Sequence, residues 1–202
     1  MSFGAILCVE GAKWFAVSRH QWDPMIAIGV ARLFEIILIS LIILIWEKGL
    51  LSIGLARSKM IPGLKKGLIW SASFGVLALF GFIVLYIADV NFLPLIRTPL
   101  PTKQNDILFL FLIGGIVAPV AEEIFFRGVL YGFFRRWGVI MALVLSTLVF
   151  VLAHPIGHSL PVIQLVGGIL FAIAYEVERS LLVPITIHAI GNISIFTLSL
   201  LF

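Results

Sequence analysis

Three short patterns place polar and ionisable side chains inside apolar stretches: Glu122-Glu123-x-x-x-Arg127, Phe150-x-x-x-His154 and His188-x-x-x-Asn192. A charge at the centre of a bilayer costs roughly 3 kcal/mol on insertion scales, so ionisable residues in such stretches are functional candidates by default. On a helix, residues four apart share a face. Glu123 and Arg127 can therefore neutralise each other, which lowers the penalty of keeping either charge in lipid. Glu122 is turned about 100° from Glu123 by the helical period and is left free to act as a general base. Phe150 lies one turn before His154 and can pack beside its imidazole. His188 and Asn192, again four apart, can present an imidazole and an amide donor to one point.

The elements that must position these residues are membrane helices. Of the 202 residues, 61% are hydrophobic and only 12% charged, against about 25% charged in a soluble domain. Mean hydropathy is +1.18. Such a chain cannot cover itself with a water-compatible surface, and lipid is the solvent for most of it. A span needs about 20 apolar residues. The runs Met25–Trp46, Gly67–Ala88, Ile107–Phe134, Val139–Ala153, Pro161–Tyr175 and Leu181–Phe202 predict about six spans. Phe3–Val17 carries Glu10 and Lys13, which predicts an interfacial helix rather than a seventh span. The expected fold is an all-α polytopic bundle, one membrane domain over residues 1–202, with its chemistry in residues 107–201.

Basic residues set the orientation. Lys48, Arg57, Lys59, Lys65 and Lys66 follow the first span, and Arg135 and Arg136 follow the third. Both loops are assigned to the cytoplasm, which puts the N-terminus and the loop Asp89–Asp106 outside. The net charge of +4 is spread between apolar runs and forms no stripe for nucleic acid. Cys8 stands alone, so neither an internal disulfide nor a multi-cysteine metal site can form. The N-terminus lacks the pattern of a cleaved secretory signal.

Taken together, in this order and each in its own apolar helix, the three patterns resemble the CAAX-protease and bacteriocin-processing (CPBP) family of intramembrane proteases. The resemblance covers roughly Leu108 to Leu200. It implies a glutamate-dependent peptidase acting on a membrane-associated protein or peptide; the compactness of the chain points to a prokaryotic inner membrane. Carried onto the matching positions, Glu122 and His154 would activate a water. His188 and Asn192 would stabilise the oxyanion, where a preorganised donor is worth a few kcal/mol. Glu123, Arg127 and Phe150 would support them.

Other readings of the same residues stand beside this one. Two histidines and a glutamate can bind zinc, but there is no His-Glu-x-x-His helix, and the metal-free mechanism, with no cofactor, is preferred. A non-enzymatic immunity or binding protein on the same fold would be indifferent to Glu122 and His154. A proton-coupled transporter is disfavoured by the lack of matching halves. Arg32 and Glu35, three apart, form a structural pair. His20 and His158 read as loop residues, and Gly167-Gly168 permits close helix packing. One difficulty is depth. At about 1.5 Å per residue, Glu122 lies roughly 20 Å from Arg135, His188 about 13 Å beyond Arg179 and His154 about 27 Å beyond Arg136. A shared site requires that the helices start elsewhere, tilt, or break near Pro119, Pro155 and Pro184.

Overall fold

The computed structural model describes residues 2–20, 22–46, 49–154 and 161–201. Lys48, Pro155 and His158, on which expectations rested, lie outside the described residues, as does the side chain of His20. Among the described residues all regular structure is helical. Seven main helices follow one another: α1 (Ser2–His20), α2 (Pro24–Trp46), α3 (Met60–Ile87), α4 (Gln104–Trp137), α5 (Val139–Leu152), α6 (Val162–Glu178) and α7 (Leu182–Leu201). Short helical turns lie between them at Leu50–Ile53, Arg57–Lys59 and Leu93–Ile96.

Six helices stand where six spans were expected. Four of them, α2, α3, α4 and α7, are long and apolar enough to cross a membrane. The other two are shorter, with 14 residues in α5 and 17 in α6. At 1.5 Å per residue α5 reaches only about 21 Å, less than the ~30 Å hydrocarbon layer. His154, two residues past its end, stands 3.6 Å from Glu122 of α4, so the two residues share a depth without a break in α4. Pro119 does not interrupt that helix, which runs through 34 residues. Instead its hydrogen-bond ladder widens to π-helical turns over Leu110–Val117 and Ile124–Tyr131. Such wide turns cluster at functional sites. Pro184 falls in the first turn of α7, where a missing N–H leaves no gap.

Small residues set how closely the helices approach. A Cβ on Gly67 of α3 would meet Thr186 of α7 at 2.6 Å, and one on Gly29 of α2 would meet Ile113 of α4 at 2.8 Å. With Ile53, beyond the end of α2, packed on Gly128 of α4, α2 runs parallel to α4. Helix α7 runs antiparallel to α4: His188 meets Glu123, Asn192 meets Gly114, and Phe196 lies edge-on to Phe111.

Charged residues collect at one end of the bundle. Lys66 pairs with Glu178, Lys59 donates to the Arg179 carbonyl, and Arg135, Arg179 and Tyr131 all converge on Glu176. The basic segments after α2 and after α4 therefore lie on the same side, as the orientation argument required. The expected Arg32–Glu35 pair forms at 2.6 Å. It also reaches Glu10 of α1 at 3.0 Å, a link that sequence spacing could not show.

Candidate active site

Glu122 and Glu123 occupy the α-helical turn between the two π segments of α4. Their side chains diverge as the helical period requires. The Glu123 and Arg127 side chains are fully buried and paired, with Arg127 Nη1 donating to Glu123 Oε1 at 2.9 Å. Arg127 also donates to the Gly168 carbonyl at 3.1 Å, and its guanidinium lies over the Phe150 ring at 4.6 Å. Gly168 permits this approach because a Cβ there would meet Thr147 at 2.9 Å, in keeping with the packing role expected of Gly167-Gly168.

Glu122 faces two imidazoles. Its Oε2 lies 3.6 Å from His154 Nε2 and 3.9 Å from His188 Nε2. Neither separation is a direct hydrogen bond, and both suit a small group held between carboxylate and ring. The Glu122 side chain is 14% exposed and that of His154 25%, so the centre is enclosed but reachable. Two cations, Arg32 of α2 and Arg127, lie within electrostatic reach of the Glu122 carboxylate.

Each ring is oriented from its far nitrogen. The His154 Nδ1–H donates to the Phe150 carbonyl at 2.8 Å, so Nε2 carries the lone pair on the Glu122 side in the neutral ring. Phe150 also packs beside this ring, at 4.5 Å between centroids. The His188 Nδ1–H donates to Glu123 Oε1 at 2.8 Å, and its ring stacks on Phe171 at 4.7 Å. A carboxylate or carbonyl behind a working imidazole fixes its tautomer and direction.

The Asn192 amide donates to the Gly114 carbonyl at 2.8 Å, a partner that sequence spacing could not show, and one of its two amide hydrogens remains. Phe171 and Gly114 were not singled out from the sequence, since neither carries a recognisable spacing signal. Among the described residues no group of three or more His, Cys, Asp or Glu side chains is arranged to hold a metal ion.

The fold and this centre define a class: an all-α membrane protein with a carboxylate held between two oriented imidazoles. Residues 104–194 match the family model described as type II CAAX prenyl endopeptidase Rce1-like. The membrane-embedded CAAX protease MroQ of Staphylococcus aureus (strain USA300) is 35% identical over 92 residues, covering 42% of this chain. The chain spans 36% of that relative's length. Both matches support the resemblance to the CPBP family of CAAX-type membrane proteases that the three motifs indicated. No solved structure matches it.

Proposed function

We propose that this protein is an intramembrane endopeptidase that hydrolyses a peptide bond in a membrane-associated protein or peptide. The observation that carries the reading is Glu122 Oε2 set 3.6 Å and 3.9 Å from the Nε2 atoms of two histidines that are themselves fixed from behind. Glu122, with His154 Nε2 as second acceptor, takes a proton from a bound water, and the hydroxide attacks the scissile carbonyl carbon. The negative charge that develops on the carbonyl oxygen is met by the His188 ring, which faces the centre from Nε2 and is fixed by Glu123 at Nδ1, and by the remaining amide hydrogen of Asn192. Glu122 then returns the proton to the departing amine as the C–N bond breaks. The products are a carboxylic acid and an amine, and the protein is regenerated.

Glu123, Arg127 and Phe150 support this centre from behind. The matched family description and the name of the bacterial relative favour a substrate whose terminus is held at the bilayer of a prokaryotic inner membrane. The basic loops gathered at one end of the bundle support a cytoplasmic placement of that end. The experiment compares protein termini in host membranes carrying the wild-type protein or Glu122→Gln, which keeps the shape and removes the base. Specific termini that vanish while the variant still accumulates support the peptidase and name its substrates. Unchanged termini with a persistent host phenotype leave a binding or immunity protein on the same fold. Cleavage by purified protein that survives chelator treatment supports the metal-free route over a zinc-dependent one.

A further inference from the structure

Two features of α4 withdraw the ladder donors that would serve the Gly114 carbonyl. In the π turn that ends at Val117, the Ala118 N–H donates to the Ile113 carbonyl, five residues back. The donor that would serve Gly114 in the same ladder is residue 119, and it is a proline, which has no N–H. A carbonyl stranded inside a membrane bundle has no water to turn to. Asn192 of α7 donates to it at 2.8 Å. The two helices approach closely at this point, where a Cβ on Gly115 would meet Ile193 at 2.9 Å and one on Gly114 would meet Phe196 at 3.2 Å. One turn along the same face of α7, His188 bonds Glu123 at 2.8 Å.

We infer that Asn192 is a positioning residue: by capping the carbonyl that Pro119 and the π turn leave open, it sets the register of α7 on α4 and so places the His188 ring between Glu122 and Glu123. This goes beyond any contact of Asn192 with substrate, and it rests on the proposed function only in treating His188 as a working member of the site. The same polar contact between α4 and α7 explains why a wide turn persists beside a proline at this point. The turn presents the carbonyl outward, and the amide fixes it.

The test uses the full chain in detergent or nanodiscs, with Asn192→Leu, Pro119→Ala and the double variant. Two readouts are taken, Tm and the ring resonances of His188 in protein labelled with 15N-histidine. Asn192→Leu is expected to lower Tm by about 5 °C and to shift or broaden the His188 Nδ1–H signal. Pro119→Ala restores an N–H for Gly114, so the double variant recovers most of the Tm loss. Its His188 signal stays perturbed, because the tie between the helices is still missing. An equal Tm loss in both backgrounds, or a His188 signal untouched by Asn192→Leu, overturns the inference. If Asn192→Leu does not accumulate alone, the comparison of Pro119→Ala with the double variant decides through the His188 signal. Neither readout involves cleavage, so a failure here is distinct from a failure of the peptidase reading.

Discussion

His188 Nδ1 and Glu123 Oε1 lie 2.8 Å apart across 65 residues of sequence, and Arg127 donates to the same carboxylate oxygen at 2.9 Å. Glu123 is thus the anchor of the site rather than a bystander to Glu122. It fixes an arginine within its own helix and a histidine from another helix. The division of labour between the two adjacent glutamates follows from this geometry: one is committed to buried partners and the other is left facing two open imidazole nitrogens.

Removing one partner of a buried ion pair leaves the other charge uncompensated, at about 3–5 kcal/mol. Glu123→Gln and Arg127→Met should each destabilise the protein on that scale in a denaturant titration. The double variant should lose less than the sum, because the two residues form one unit. Strict additivity would contradict the pairing.

His154 stands beyond the end of α5, and its side chain hydrogen-bonds the Phe150 carbonyl of the same segment. His154→Asn should therefore lower kcat by about 10²–10⁴-fold while Tm changes little. A variant that retains activity within a few-fold would remove His154 from the chemistry.

Phe171 stacks on the His188 ring, and ring pairs of this kind contribute about 0.5–1.5 kcal/mol beyond their buried area. Phe171→Leu keeps most of the volume, so the protein should accumulate normally. Its kcat should fall by about 2–12-fold, the same energy expressed as a rate. No change in kcat with a lowered Tm would assign Phe171 to packing alone.

The seating of α3 on α7 depends on Gly67, where a Cβ would come within 2.6 Å of the Thr186 Cβ. Gly67→Ala should destabilise by about 1–3 kcal/mol through overpacking. A Cβ added to Gly75, in the same helix, would meet nothing within 4 Å. Gly75→Ala should leave Tm unchanged or raise it, since alanine is the better helix former. Paired thermal melts of the two variants check the difference.

Much of the site was legible because it is local. The four-residue spacings of Glu123 with Arg127, Phe150 with His154, and His188 with Asn192 each lie on one helix face, and the helical period places them without reference to the rest of the chain. The apolar runs likewise located six of the seven main helices, α2 to α7, because a bilayer imposes a length and a polarity on any segment that crosses it. The Arg32–Glu35 pair was read in the same way.

What the sequence determined by itself, then, was the class of fold, the positions of the helices and the side chains that could do chemistry. Tertiary structure decided the partners across helices: Glu123 with His188, Asn192 with Gly114, Phe171 with His188, and Glu10 with Arg32. It also decided that α5 stops short, so that His154 meets a glutamate in the middle of another helix. The physical reason is that contacts between helices depend on crossing geometry and on where small residues let backbones approach. A π turn adds to this, because it shifts every later residue off the 3.6 period from which faces are read. At Gly114 the wide turn and the missing N–H of Pro119 together created an acceptor that only a residue 78 positions away could fill.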